Sequence, residues 1–233
     1  MIGNDSSLQE KLHSAVADLI LITGDFITDG RYIDSAVDYL GGLSARDGVY
    51  AILGNHDYYF LTMMQHFRHY VFGKPYVSNE WRRLVTLLDG AGIRVLINEY
   101  VTVKTEAGST LFVEGTDDPV RGTPRITDAD SEYERSSLKI LMSHSPDILY
   151  SDELRKKKFD ILLSGHTHGG QIRLPGVGPI VTGTKRASRR ESYGMFRTAD
   201  GMVVNVSAGI GHTLLPIRVN CPPEIVMIEF TGN

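Results

Sequence analysis

A repeated pattern constrains this chain more than any other feature: a short apolar run, rich in β-branched residues, ends in a polar cluster that is glycine-bearing at three of its four occurrences. Leu19–Thr23 runs into Gly24-Asp25, and Val49–Leu53 into Gly54-Asn55-His56-Asp57. Leu138–Ser143 runs into His144-Ser145-Pro146, and Asp160–Ser164 into Gly165-His166-Thr167-His168-Gly169-Gly170. Five further runs read as strands: Ile93–Ile97, Glu99–Lys104, Thr110–Glu114, Met202–Ser207 and Ile225–Phe230. Helical spacing of apolar residues falls at Ser7–Ala17, Tyr32–Leu43, Asn79–Ala91 and Pro146–Lys157. Strands alternating with helices predict an α/β fold. Glu99–Lys104 and Thr110–Glu114, split by Glu106-Ala107-Gly108-Ser109, read as an antiparallel hairpin with a somewhat long turn, so hairpins and crossovers are expected together.

The chain has 233 residues, enough for a single domain with a sizeable core. A net charge of −4 argues against a dedicated nucleic-acid binder. Its one cysteine, Cys221, has no partner for an internal disulfide and reads as a small buried apolar residue. Nothing resembles a membrane span or a signal peptide, so a soluble, cytoplasmic chain is expected.

Four of the eight histidines, His56, His144, His166 and His168, lie in the clusters that close the apolar runs. Such clusters emerge at the carboxyl ends of strands, where open α/β sheets place their ligands. Glycine beside them lets the backbone turn sharply. Imidazole, carboxylate and amide oxygen together suit a divalent Mn, Fe, Zn or Co ion. On an extended segment, His166 and His168 would point to the same side and reach adjacent ions. Taken singly, each residue has a plainer reading: a satisfied histidine, a helix cap at Asp25, a turn former at Asn55. Four clusters in series favour the shared site.

Gly24-Asp25, Gly54-Asn55-His56-Asp57, His144 and Gly165-His166-Thr167-His168 together resemble the signature blocks of the calcineurin-like metallophosphoesterases. The tail, through Ser207-Ala208-Gly209 and Pro222-Pro223-Glu224, resembles the bacterial branch that includes YaeI, YkuE and a UDP-diacylglucosamine pyrophosphatase of the lipid-A pathway. The resemblance implies a four-layer αββα sandwich of two mixed β-sheets flanked by helices. It implies that Asp25 bridges two metals, that Asn55, His144 and His166 complete one site, and that His168 belongs to the other. His56 would sit over the phosphoryl group, stabilising charge or protonating the leaving oxygen, with Asp57 orienting it. The implied chemistry is two-metal hydrolysis.

Relatives carry an earlier Asp-x-His block at the end of a first strand. Here Asp5 precedes Ser6-Ser7, and His13 lies in a helical pattern. The expectation is a fold lacking that first strand, one retained divalent metal, and a second site weak or empty. An open sheet edge would favour a homo-oligomer. A parent protein of this branch would be membrane-associated or exported.

On the substrate side, the stretch 58–81 is crowded with aromatics, beginning at Tyr58 and Tyr59. It reads either as an insertion that packs its own rings or as a cap that walls the site and contacts a membrane peripherally. The basic run Lys185–Arg190, with Arg186 and Arg189, is either a solvated face or a contact for phosphate or an anionic membrane. Asp117-Asp118-Pro119 reads as a turn, and no complete Gly-x-Ser-x-Gly occurs to support a serine esterase. The leading reading is a metal-dependent phosphoester hydrolase, most simply a phosphodiesterase. Its rivals are a pyrophosphatase of a UDP-linked lipid, a carboxylesterase acting on activated esters, and a single-metal remnant that only binds.

Overall fold

A computed structural model describes residues 6–60, 63–106, 108–213 and 217–231. Two sheets face each other. The smaller joins β1 (Ile20–Ile22), β2 (Val49–Ala51) and β3 (Ile93–Val95) in the order β1-β2-β3, every pair parallel. The larger is mixed and contains β4 (Glu99–Lys104), β5 (Thr110–Gly115), β6 (Leu138–Met142), β7 (Ile161–Ser164), β8 (Gly194–Arg197) and β9 (Val203–Val206). Its order is β8-β9-β7-β6-β5-β4, with antiparallel pairs only at its two edges. The hairpin read from sequence is β4–β5, registered Glu99 against Gly115 and Lys104 against Thr110.

Period-2 patterning assigns each strand residue to a layer. Tyr50 of β2 faces the larger sheet while Val49 and Ala51 face the other way. In β6, Ile140 and Met142 point into the space between the sheets and Leu141 to the outer face. Three apolar layers result. One joins the small sheet to α2 (Ile33–Leu40) and α5 (Trp81–Gly90), which bury Ile33, Ala36, Leu40, Leu84 and Leu88 at helical spacing. The second lies between the sheets around Ile52, Leu96, Val113 and Met142. The third packs Phe112, Leu141 and Leu162 beneath Tyr133 of α6 (Asp130–Arg135) and Phe159. Remaining helices are α1 (Ser6–Ser14), α3 (Asn55–Tyr58) and α4 (Met63–Phe72).

Two sequence expectations are corrected. Pro146–Lys157 is not an α-helix but two 3₁₀ turns, Pro146–Tyr150 and Leu154–Lys156. The Asp147 carboxylate at the first of them is taken up by the amides of Lys185, Arg186 and Ala187, and Ser151 breaks the run. Ile225–Phe230 is not a strand: it has no ladder partner among the described residues and leaves Met227 and Phe230 largely exposed. The aromatic insertion is closed at its base by a two-residue ladder pairing Tyr59-Phe60 with Val77-Ser78, and α4 lies within it.

Candidate metal centre

Parallel pairing places the carboxyl ends of β1, β2, β6 and β7 together, and the polar clusters meet there. Asp25 follows β1 in a left-handed conformation (φ 62°) after Gly24 (φ 88°). The turn is tight enough that a Cβ on Gly24 would lie 2.5 Å from the Gly54 nitrogen. Gly54 has an ordinary φ of −108° but no room: its Cβ would meet Asp25 Oδ1 at 2.2 Å and His144 Cε1 at 2.6 Å. Glycine there is what lets two strand ends and one imidazole share a site.

Asp57 locks the two loops. Its carboxylate accepts from the amides of Gly54 (2.8 Å), Asp25 (2.9 Å) and Ile27 (3.1 Å). Burial, with the Asp25 charge adding to it, pushes this carboxyl up to about 7 against the pull of those amides. Asp25 in turn accepts from the His56 amide at 2.9 Å.

His144 is buried, and its Nδ1 lies 2.6 Å from the Thr23 carbonyl. A carbonyl only accepts, so that nitrogen carries the hydrogen and Nε2 is left to face inward. Nε2 stands 3.2 Å from Asp25 Oδ2 and 3.2 Å from Nδ1 of His166. His166 Nε2 meets the Gly183 carbonyl at 3.2 Å, which by the same logic leaves its Nδ1 without a hydrogen. Asp25, His144 and His166 thus bring ligand atoms within 4.8 Å of one another. Nearby Asn55 is buried, and its Oδ1 has no hydrogen-bond partner among the described residues. Lone pairs turned toward one another need a cation or a proton between them, and this donor set fits a divalent metal.

The charges agree. Burial alone would raise Asp25, but the imidazoles of His144, His56 and His166 outweigh it and hold the carboxyl far below its usual range. Burial alone would lower His144; the Asp25 charge and hydrogen bond instead raise it to about 9, so a proton stands in where the cation is absent. Burial keeps His166 down at about 4 and His168 at about 3, so both imidazoles are neutral near pH 7.

His166 and His168 do not share an extended segment. Both are left-handed (φ 67° and 49°), as is Gln171 (φ 51°), so the chain coils through this turn. His166 joins the Asp25–His144 group, while His168 lines an adjoining cavity of about 30 Å³ with Asp25, His56, Gly211, His212 and Thr213. His56 Nε2 lies 3.3 Å from the Thr213 hydroxyl. Arg218 grips the far wall: its guanidinium donates to the carbonyls of Ala208 (2.7 Å), Gly209 (3.2 Å) and Gly211, and to that of His168 at 3.4 Å.

The four expected substrate contacts fall outside the lining of this cavity. Tyr58 packs on Trp81 (ring centroids 5.3 Å apart) and gives its hydroxyl to Asp117 at 2.5 Å. Tyr59 packs toward Tyr76 and Arg121. Arg186 donates to the Tyr150 carbonyl, and Arg189 sits in an exposed 3₁₀ turn. Two residues at the site escaped the sequence reading. His212 follows β9 through Gly209 and Gly211, the same strand–glycine–histidine signal that marked the others. Asp118, read as a turn residue, is wholly buried; burial lifts its carboxyl to about 6, and its charge bears on His144 and Asp25.

Residues 1–170 match the calcineurin-like phosphoesterase family. The chain belongs to that family. The phosphoesterase is 30% identical over 211 residues to the metallophosphoesterase YkoQ of Bacillus subtilis, covering 89% of this chain and 70% of that one. Against the Bacillus subtilis metallophosphoesterase YkuE it is 30% identical over 225 residues, covering 95% and 71%. The phosphodiesterase YaeI of Escherichia coli is 28% identical over 214 residues, with 91% and 70% covered. Among solved structures, the NAD nucleotidase of Haemophilus influenzae superposes with a TM-score of 0.52 at 16% identity, over 88% of this chain and 44% of its own; that likeness is one of fold. The phosphoesterase is therefore a metal-binding hydrolase acting on phosphoesters, and Asp25, His144 and His166 form a group that could hold a metal ion. Among the described residues, no helix is long and apolar enough to cross a membrane.

Proposed function

We propose that the protein hydrolyses phosphodiesters, with a divalent cation held by Asp25, Asn55, His144 and His166 and with His56 acting on the phosphoryl group. The observation that carries this reading is the convergence of Asp25 Oδ2, His144 Nε2 and His166 Nδ1, together with a buried Asn55 Oδ1 that has no partner among the described residues and a cavity bordered by His56 and Asp25. Resemblance to a protein named as a phosphodiesterase supports the diester as substrate. Mixed nitrogen and oxygen donors suit Mn, Fe, Zn or Co.

When bound, the cation supplies Lewis acidity toward a phosphoryl oxygen and toward water. The chain does the rest. Asp57 fixes the loops of Asp25 and Asn55 in one frame through three amides, which sets ligand geometry before substrate arrives. The His56 backbone is held at both ends, its amide by Asp25 and its carbonyl by the Asn79 side chain at 2.9 Å. That grip aims the imidazole into the cavity, where it hands a proton to the departing alkoxide or stabilises charge on the phosphoryl oxygens. His168, neutral and buried, flanks the same cavity.

Hydrolysis of bis-p-nitrophenyl phosphate, p-nitrophenyl phosphate and p-nitrophenyl acetate, with added Mn and after chelation, tests the reading. Preference for the diester, loss on chelation, and loss of turnover in His56→Ala with metal content intact are expected. Turnover indifferent to the chelator would overturn the metal mechanism, and preference for the acetate would replace diester hydrolysis with esterase activity.

A further inference from the structure

Beyond hydrolysis, we propose that the hairpin 172–181 and the basic loop that follows it dock the protein onto an anionic lipid surface. The hairpin pairs Arg173-Leu174 with Gly178-Pro179 and turns through Pro175-Gly176-Val177. Its apolar side chains face outward: Val177 is 59% exposed, Ile180 50% and Val181 69%, with Leu174 also exposed. Ile172 bridges to Val219, and the Arg173 amide donates to the Val219 carbonyl, so exposed Ile217 and Val219 extend the same apolar surface. Soluble monomers seldom leave such a patch open without a use for it.

Charge identifies the occupant. Residues 161–190 contain no Asp or Glu, in a chain that carries 28 of them and a net charge of −4. Within four residues of Val181 begins a run of exposed cations, Lys185, Arg186, Arg189 and Arg190. This loop is built rather than slack: the Asp147 carboxylate accepts from the amides of Lys185, Arg186 and Ala187 at 2.8–2.9 Å, and Glu191 closes a cap on Ser188. Those two carboxylates are spent on backbone amides and on the Tyr150 hydroxyl, not on the guanidinium and ammonium groups. Apolar side chains that can enter the headgroup region, next to cations set against the sign of the whole chain, match an anionic bilayer interface. The placement also suits the site. Gly183, between the apolar and basic parts, accepts from His166 Nε2, and Gly170, two residues after His168, packs against Pro179. A surface bound here would lie beside the metal centre.

Co-sedimentation of the full chain with vesicles tests this, comparing phosphatidylcholine alone with phosphatidylcholine containing 30% phosphatidylglycerol, in about 0.1 M salt. Binding to the anionic vesicles, weakened by high salt and slight on neutral ones, is expected. Val177→Asp with Ile180→Asp should abolish it. Lys185→Glu with Arg190→Glu should lower partitioning about twentyfold or more. Both pairs lie on the exposed surface, so turnover of a soluble diester should be retained, and that retention shows the variants are folded. Anionic vesicles left unbound, or bound equally by the variants, would overturn the proposal. So would size-exclusion behaviour in which the patch variants convert a dimer to a monomer, because the surface would then be covered by a second copy.

Discussion

His144 Nε2 lies 3.2 Å from Asp25 Oδ2 while Nδ1 of the same ring is tied to the Thr23 carbonyl at 2.6 Å. The ring is thus oriented by the strand that delivers Asp25, so the geometry of His144 depends on the backbone that carries its neighbour. Metal binding must displace the proton that Asp25 retains on His144, whose value is raised to about 9. Affinity for Mn or Zn should therefore fall about tenfold per pH unit as pH drops below 9, and change less above it. Titration calorimetry in two buffers of different ionisation enthalpy should show about one proton released per metal at pH 7.5. His144→Ala should lose the metal in elemental analysis and cost at least about 100-fold in turnover.

Gly54→Ala should act through space rather than through backbone strain, because φ at this position is −108°. Its methyl would stand 2.2 Å from Asp25 Oδ1 and 2.6 Å from His144 Cε1. Overpacking of this kind costs about 1–3 kcal/mol. Loss of metal-dependent turnover together with a lower urea midpoint is expected; a variant that kept full metal affinity would show that the two loops can separate without consequence.

Asn55→Leu should part stability from function. The Asn55 Oδ1 is buried with no partner among the described residues, so replacing the amide with an apolar group of similar size removes an unsatisfied acceptor. The metal-free variant should melt at the same temperature as the parent or higher. Its melting temperature should no longer rise on adding Mn, whereas the parent's should.

His168 should make the metal-free protein sensitive to acid. Burial holds its folded-state value at about 3, below the unfolded value of about 6.5. Between those values the unfolded imidazole carries a proton that the folded one does not, so its contribution to stability is present above pH 6.5 and is lost as pH falls. Asp57 and Asp118, raised to about 7 and about 6, gain protons on folding over the same range and oppose it, so the comparison must be with a variant. Relative to His168→Asn, the parent should lose about 2–3 kcal/mol between pH 7 and pH 4 in urea unfolding with a chelator present. Parallel pH profiles for the two proteins would show that this imidazole is solvated.

The candidate ligands were legible because each sits where a local signal ends. An apolar run stops, a glycine turns the chain, and the next polar side chain emerges at the strand's carboxyl end. Asp25, Asn55 and His166 follow that rule, His144 emerges at its strand end without a glycine, and His212 lies behind the glycines that come after Val206. Asp118 gave no such signal. Its neighbours read as a turn, and nothing local reveals that the turn is buried beneath the site.

Segments decided by partners distant in sequence were read wrongly. Pro146–Lys157 has helical spacing, but its Asp147 is claimed by amides 38 to 40 residues away, and the segment settles into 3₁₀ turns. Ile225–Phe230 has a strand's composition, yet a strand exists only where another backbone offers its amides and carbonyls, and none among the described residues does so here.

The sequence by itself marked the strands that deliver Asp25, Asn55, His144 and His166 and the kinds of side chain gathered at their carboxyl ends, since periodicity and residue type are local properties. Only the tertiary structure decided which lone pairs meet. The Thr23 and Gly183 carbonyls choose the tautomers of His144 and His166, the left-handed turn at 166–168 separates two histidines that an extended chain would align, and Asp57 ties the loops by three amides. The Thr23 carbonyl lies 121 residues from His144 and the Asp25 amide 32 from Asp57, so those approaches exist only once the strands that carry them are packed together.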